Sequence, residues 1–453
     1  MAVVASRRRR VDPDPSFFAL HRAIAPQLWG GAEWAALRTR ALERFRALGI
    51  PTRRDESWKF TDVVRIVNRP MRPAEPRPLP FAEVRPYLLG GSEAVRLVFL
   101  DGRLVPEWSR TEGLPAGAIV ESLADTARTR PEALARALEA LDDGRAFTAL
   151  NAAFLDGGAW IEIPEGVALA APLQLLFLSA AREEAVMAHP RCILRVGRNA
   201  ALTLLETHAG LGEGAVLANV VLQLALGEGA RLDHDRIARA PRGHALLVKL
   251  DGSLGAGARY RQTTVVVGGA LVRNEHEVRI EGPEAECLLS GVAMPRAGEQ
   301  VDTLVRLHHC AGGSHSDQHF KSIVEDRGHH AFAGKIIVHR GALKTNAYQK
   351  NDNLLLGADA EVDTKPELEI YADDVKCSHG ATCGELDASA LFYLRARGLD
   401  PETARALLVY AFAEEVIARL TEPSARAFAE RMLLERLGSD FVSPESELLA
   451  EAR

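Results

Sequence analysis

The sequence is poor in aromatic residues, in cysteine and in long hydrophobic runs. Phe, Trp and Tyr together make up 6% of 453 residues, so the core must be built from Val, Leu, Ile and Ala. Five cysteines in so long a chain do not form a disulfide framework, and reduced thiols in a cytosolic compartment are the simpler interpretation. No stretch reaches the roughly 18 uninterrupted apolar residues of a membrane helix. These shortages predict a soluble, cytoplasmic protein with an aliphatic core.

The charge is nearly balanced, with 55 Lys and Arg against 61 Asp and Glu and a formal net charge of −6. This balance disfavours a dedicated nucleic-acid binder. The basic run from Arg7 to Arg10 is followed by Asp12-Pro13-Asp14-Pro15 instead of an apolar segment, so it does not predict an export signal. We therefore expect neither nucleic acid nor a membrane as a partner.

Residues 1–150 are predicted to form a helical N-terminal region with a proline-rich connector. The apolar spacing indicates one helix from Ala32 to Gly49 and helical structure from Ser122 to Leu150, with Pro131 at a helix start. The segment from Arg69 to Pro86 is rich in proline and is predicted to be an extended link.

Residues 386–453 are predicted to form a C-terminal helical module. Asp387 is placed to cap a helix that ends before Gly398, and Asp400 to cap a second that begins at Pro401. A third helix is expected from about Pro423 to Leu437. The sequence leaves open whether this module caps the end of the middle region or docks a partner.

Residues 151–385 are predicted to form a right-handed parallel β-helix, which makes the fold mainly β. Twelve glycines from Gly197 to Gly357 mark turns in eleven steps over 160 residues, a mean spacing near 14.5. Two strands of five to seven residues, each with a tight turn, are expected to form one coil of about 29 residues. Stacked coils accommodate small branched side chains better than rings, in line with the low aromatic content. The alternative is an antiparallel sandwich, whose strands also alternate with turns.

Seven of the fourteen histidines lie within one short stretch, with Cys310 among them. Imidazole and thiolate suit zinc, iron and iron–sulfur clusters, so one hypothesis is a metal-dependent β-helical enzyme that uses this stretch. The alternative is a polar outer face or an interface. The sequence has no closely spaced four-cysteine, CxxC or HExxH signature, which disfavours a self-contained site. The histidines are His308, His309, His315, His319, His329, His330 and His339.

Cys377 and His379 are the candidate metal ligands. Residues two apart in a strand project from the same face, so a thiolate and an imidazole are expected to point together. Two donors do not complete a four-ligand site, and the others must come from elsewhere, for example from another chain. Cys383 is expected to lie beyond the strand end and is a weaker candidate. The alternative for the pair is a buried thiol beside a hydrogen-bonded histidine.

Three segments resemble a known family. They are YADDVKCSHGAT at 371–382 with LFYLRARG at 391–398, KTNAYQKNDNLLLG at 344–357, and RRDESWKFT at 53–61. The chain is similar in these segments to the SufB/SufD family of the SUF iron–sulfur cluster assembly system. The resemblance implies a parallel β-helix between helical ends, in agreement with the pattern above.

The resemblance also implies partners and a cargo. It implies pairing with a SufB paralogue through the β-helix and binding of the SufC ATPase through roughly residues 386–437. It implies a transient iron–sulfur cluster at the interface of the two β-helices, to which His379 and the neighbouring Cys377 contribute. A reduced flavin in the complex and a homodimer of the isolated chain stay open, and no residue here is assigned to a flavin.

Two positions place the chain nearer to SufD than to SufB. SufB-like chains are expected to carry cysteine where Asn351 stands and glutamate where Gly380 stands. We therefore predict a non-catalytic subunit of the assembly scaffold. The rival hypotheses are the metal-dependent enzyme and a purely structural adaptor in which His379 serves only packing.

Overall fold

The computed structural model describes residues 11–75, 79–141 and 143–438. The basic run at Arg7 to Arg10, residues 76–78 of the proline-rich segment and residues 439–453 of the C-terminal module lie outside the described residues. Within them, the chain forms a parallel β-solenoid with helices at both ends. The predicted mainly β solenoid with helical flanks is confirmed.

Within its described residues, the N-terminal part contains α-helices and four short strands. Helix α2 spans Ala32–Leu48 and ends at Gly49 with a φ of 70°, as the sequence predicts. Pro131, also predicted to start a helix, is the first residue of the sixth helix. The other helices are α1 (Ser16–Ile24), α3 (Val64–Val67), α4 (Phe81–Val84), α5 (Leu123–Thr129), α6 (Pro131–Glu139) and α7 (Ala146–Ala153). The strands are β1 (Arg72–Pro73), β2 (Val95–Leu100), β3 (Arg103–Leu104) and β4 (Ile119–Ser122).

The solenoid consists of two facing parallel sheets, and each coil adds one strand to each sheet. Sheet one contains β5 (Gly158–Ile163), β7 (Val186–Ala188), β8 (Arg191–Val196), β10 (Val216–Leu226), β12 (His244–Leu254), β14 (Leu271–Ile280), β16 (Gln300–His309), β18 (His329–Val338) and β20 (Glu361–Ile370). Sheet two contains β6 (Leu173–Ala180), β9 (Ala201–Leu211), β11 (Arg231–Ala240), β13 (Arg259–Gly268), β15 (Glu286–Met294), β17 (His315–Val324), β19 (Asn346–Leu355) and β21 (Lys376–Gly384).

The prediction of five- to seven-residue strands is wrong for most of the solenoid. From Ala201 onward the described strands have 9 to 11 residues. A turn takes only about four residues of each 14.5-residue step, so the rest of the step is extended. The result is a flattened solenoid with two long walls.

The core lies between the two sheets. Inward residues alternate along each strand and are mostly Val, Leu, Ile and Ala, and two of the few rings, Phe320 and Phe332, meet inside with centroids 5.3 Å apart. A buried polar group interrupts this core: Glu206 on β9 accepts from His234 and Arg236 on β11, at 2.8 and 2.9 Å. Aliphatic stacking therefore explains most of the low aromatic content, but not every inward position.

The N-terminal strands extend the solenoid. Strand β2 pairs parallel with β6, and β4 pairs antiparallel with β5. The two-residue strand β3 turns back antiparallel on β2. The first coil thus ends in short antiparallel strands, a feature that the prediction of a helical region with a connector did not contain.

The C-terminal helices are α8 (Ala388–Ala396), α9 (Pro401–Ile417) and α10 (Pro423–Leu437). Asp387 and Asp400 cap α8 and α9 through their side chains, as predicted. Apolar residues of α9 and α10 pack on the outer face of sheet two, where Val409 and Val416 join Val292 and Ile323 in one cluster. The module therefore covers the side of the solenoid, while α8 packs against α9.

The last coil of the solenoid is open. Strands β20 and β21 each pair along one edge only within the described chain. Every residue of β21 except Cys377 is exposed. Within the described residues, no helix combines the length and the apolar character that a membrane crossing requires.

Candidate functional site

The last strand places three chemically active side chains on one face. Strand β21 pairs with β19 so that Cys377, His379 and Cys383 lie beside Ala347, Gln349 and Asn353. Those three residues of β19 are buried and face the interior of the solenoid. Because side chains in register share a face, all three partners on β21 project from the inner face of the open coil.

Cys383 lies inside the strand. The prediction that it falls beyond the strand end is wrong, because β21 continues to Gly384. Its Sγ atom lies 3.7 Å from the Nδ2 atom of Asn353, which donates to it. Cys383 is nevertheless four residues from His379, so more than 10 Å of extended chain separates the two positions.

Cys377 is half-buried at the edge of a small apolar cluster that includes Leu368 and Val375. Burial raises the pKa of its thiol, and a hydrogen bond from the backbone of Ala347 opposes that effect only in part. The thiol therefore stays protonated at neutral pH until a metal or an oxidant displaces the proton.

A polar layer lies directly beneath this face. Asn351 is fully buried, and its Oδ1 atom accepts from Asn353 Nδ2 and from Thr364 Oγ1 on the opposite sheet, both at 2.8 Å. Its Nδ2 atom donates to the backbone oxygen of Phe320 at 3.2 Å. Asn351, where a SufB-like chain is expected to carry cysteine, thus bridges neighbouring strands through both ends of its amide.

Sequence reasoning missed this layer. The signal was present in Gln349, Asn351 and Asn353, which are polar at every second position of a strand whose inner face should be aliphatic. A buried amide must have partners, so such a run predicts hydrogen bonds between coils.

Two members of the histidine run lie inside the solenoid with structural partners. His309 contacts the hydroxyls of Ser314 and Ser316 at 2.7 and 2.9 Å. His330 donates from Nδ1 to the backbone oxygen of Val301 at 2.9 Å. Burial lowers the pKa of each imidazole to about 4, so both are neutral.

The other histidines lie on outer faces and in different places. His319 contacts Asp352 at 3.0 Å beneath the C-terminal helices, and His315 packs against the ring of Tyr348. His308 and His339 stack on sheet one with ring centroids 5.6 Å apart. The stretch is therefore divided between the interior and two separate outer faces, and it does not converge on one catalytic centre.

One histidine of this stretch lies beside two carboxylates. His329 is the register partner of Glu361, and its Nε2 atom lies 3.0 Å from Asp363 Oδ2. Among the described residues, these three offer ligand atoms within 4.8 Å of one another. They lie on the outer face of sheet one, so they cannot share a ligand with the inner face of β21.

The chemistry of the inner face suits iron and iron–sulfur clusters. A thiolate and an imidazole are soft and borderline donors, and such clusters are held by Cys with His as an occasional substitute. Cys377 and His379 are two candidate donors, fewer than the four protein ligands that a cluster usually needs. A cluster at this face would need further ligands from outside these two residues.

An elongated parallel solenoid with an open, thiol- and imidazole-bearing last coil is the architecture that the SufB/SufD resemblance implies. The family model described as SUF system FeS cluster assembly, SufBD core domain, matches residues 177–412, and the SufBD protein N-terminal region matches residues 91–175. The chain belongs to the SufBD family of the SUF iron–sulfur cluster assembly system.

Within this family the chain is similar to SufD. It is 34% identical to the iron–sulfur cluster assembly protein SufD of Escherichia coli over 88% of this chain and 90% of that protein. It is 33% identical to the SufBD family protein slr0076 of Synechocystis sp., over 84% and 86% of the two chains. Identity to the chloroplastic protein ABCI7 of Arabidopsis thaliana is 27%, over 86% and 83%.

Proposed function

We propose that this chain is the SufD-type, non-catalytic subunit of a SUF assembly complex that builds and transfers iron–sulfur clusters. It pairs with SufB through the last coil of its solenoid and binds the SufC ATPase through its C-terminal helices. The observation that carries the proposal is the open last coil, which presents Cys377 and His379 where a second solenoid would dock.

The edges of β20 and β21 support pairing with a second solenoid. They are 10 and 9 residues long and offer unpaired backbone donors and acceptors, which template the addition of another strand. Ile370 and Tyr371, at the end of β20, are 43% and 56% exposed and provide apolar area beside this edge. A SufB paralogue added there continues both sheets, and in its absence a second copy of this chain takes the same place.

Pairing of the two solenoids would complete the set of ligands for the cluster. In this proposal the partner supplies the donors that this chain lacks at Asn351 and Gly380, while Cys377 and His379 face it across the joint. The cluster is a transient cargo shared by the two chains. Because this chain supplies only a few ligands, it holds the cluster weakly, which favours release of the cluster to an acceptor protein.

The exposed helix α8 supports docking of SufC. Phe392 and Tyr393 are 74% and 58% exposed on a helix that buries none of its own residues. Exposed aromatic pairs of this kind are typical anchors of protein interfaces. Since α9 and α10 are fixed to sheet two, ATP-driven movement of SufC would be transmitted to the solenoid and would open the joint between the paired solenoids.

Anaerobic cluster reconstitution of the copurified complex tests the proposal. We expect His379→Ala to abolish or strongly reduce the cluster signal while the mass of the complex is unchanged. Ser378→Ala is the matched control, because Ser378 lies on the same strand and its side chain projects from the other face. If His379→Ala retains the full cluster in an intact complex, His379 is not a ligand and the structural adaptor is the correct function.

A further inference from the structure

Gln349 lies between two other polar residues in one row across the inner face of sheet two. The register places Gln318 of β17 on one side of it and His379 of β21 on the other. Gln349 is 3% exposed, whereas His379 is exposed at the open end. The row therefore leads from the interior of the solenoid to the candidate ligand.

The carboxamide of Gln349 is held at one end. Its Nε2 atom donates to Gln318 Oε1 at 2.9 Å. Gly334, on the facing strand β18, leaves the space for this group, since a Cβ atom there would overlap Gln349 Nε2. One hydrogen bond and the space left at Gly334 thus define where the amide lies.

The other end of the same amide lacks a partner. Gln349 Oε1 is buried and accepts no hydrogen bond from any described residue. A buried acceptor left unpaired costs roughly 1–3 kcal/mol, so such an atom calls for a donor. Gln318 already occupies one side of Gln349, and the register places His379 on the other side. The ring of His379 makes no hydrogen bond to any described residue.

We propose that Gln349 is a positioning residue for His379, in which its Oε1 atom accepts the N–H of the imidazole. One ring nitrogen then carries the proton and faces the amide, and the other presents its lone pair to the metal. This arrangement rests on the proposed function of His379 as a ligand. Partners of this kind fix the tautomer and the orientation of metal-binding histidines, and their loss typically reduces metal affinity about 10- to 100-fold.

The tautomer of His379 in the full-length, metal-free chain tests this directly. Long-range 1H–15N spectra of 15N-histidine-labelled protein report which ring nitrogen carries the proton, and the His379→Gln variant identifies the signal. We expect one tautomer in the wild type, a mixture in Gln349→Leu and a single tautomer again in Gln349→Glu, which retains an acceptor. Gln318→Leu is the matched control, because it removes the same Gln–Gln bond without removing the acceptor next to His379.

A wild-type His379 that shows the tautomer mixture of free imidazole overturns the proposal, whatever the variants do. An unchanged single tautomer in Gln349→Leu also overturns it. If Gln349→Leu does not fold, Gln349→Met provides the same comparison with a flexible side chain of similar length.

Binding of Co(II), used as a spectroscopic probe for iron(II), separates this proposal from the function on which it rests. We expect the copurified complex to lose about 10- to 100-fold in Co(II) affinity with Gln349→Leu and to retain its affinity with Gln349→Glu. If His379→Ala leaves Co(II) and cluster binding intact while the tautomer result holds, Gln349 still orients His379 but the ligand function is wrong. If His379→Ala abolishes binding and Gln349→Leu changes neither affinity nor tautomer, the ligand function stands and the positioning role is wrong.

Discussion

The carboxylate of Asp235 accepts hydrogen bonds from the backbone N–H groups of Thr421 and Glu422, at 2.9 and 2.8 Å. Asp235 lies on the outer face of β11, and its two donors lie just before α10. Burial raises the pKa of this carboxyl to about 6, although the hydrogen bonds act in the opposite direction. One side chain thus links the solenoid to the C-terminal helices.

Asp235→Asn should increase stability at pH 8 relative to the wild type. The ordinary pKa of 3.8 is raised in the folded state, so this group contributes stability that is fully present below about pH 4 and lost as the pH rises through about 6. Asparagine keeps an acceptor and carries no charge, so the stability that the wild type loses above pH 6 should be retained in Asp235→Asn. The two proteins should therefore differ by at most about 3 kcal/mol in unfolding free energy at pH 8. Urea unfolding at pH 5 and pH 8 measures it. Glu165→Gln, which removes an exposed carboxylate paired with Arg198, is the control. An identical pH dependence in wild type and Asp235→Asn would contradict the expectation.

Gly158→Ala should destabilise the first coil strongly. Gly158 has a φ of 133°, and a Cβ atom there would overlap the backbone oxygen of Arg191 on the paired strand β8. The two strands would have to separate, at a cost of about 3 kcal/mol or more. Gly380→Ala at the open coil meets no atom within 4 Å and should stay within about 0.5 kcal/mol of the wild type. Equal melting temperatures for the two variants would show that the first coil is looser than described.

Phe392→Ala with Tyr393→Ala should abolish binding of the SufC ATPase without changing the stability of the chain. Both rings are exposed and support no core, so the unfolding free energy should change by about 0.5 kcal/mol or less. Phe428→Ala is the contrasting control, because removal of this buried ring on α10 should lower the unfolding free energy by about 3–5 kcal/mol. Pull-down of purified SufC combined with thermal unfolding checks both effects. Undiminished SufC binding by the double variant would place the docking surface elsewhere.

Glu206→Gln should destabilise the solenoid by about 3–5 kcal/mol. Burial opposes ionisation of Glu206, but the guanidinium of Arg236 and hydrogen bonds from His208 and His234 outweigh burial and hold its pKa well below the ordinary value. Removing the carboxylate leaves the buried charge of Arg236 without its counter-ion. Glu165→Gln is the control, since Glu165 pairs with Arg198 in solvent and should contribute 1 kcal/mol or less. Chemical denaturation gives both values, and similar effects would show that the interior around Glu206 is hydrated.

The fold was largely predictable because its signals are local and repeat. Glycine spacing reports the coil length, and Asp387, Asp400 and Gly49 mark helix ends by their own backbone and side-chain chemistry. Strand length was not predictable in the same way. The glycine spacing gives the combined length of one strand and one turn. How many of those residues are extended depends on the pairing with neighbouring coils.

The site was predictable in part. Alternation along a strand brings Cys377 and His379 to one face, and the register agrees with that expectation. The placement of Cys383 failed because the end of an edge strand depends on its neighbour β19. The buried amide of Gln349 was missed because its environment is assembled from residues about 30 positions apart along the chain, such as Gln318.

The two ends of the solenoid also determine how many chains can join. The first coil ends in the short strands β3 and β4, which run antiparallel to their neighbours, whereas the last coil ends in the long parallel strands β20 and β21. If two solenoids join through their last coils, as proposed, the joint uses the long edges of both chains, and the short antiparallel strands at the other end of each described chain offer little edge for a third. The proposed pairing is therefore expected to stop at two solenoids instead of extending into a filament.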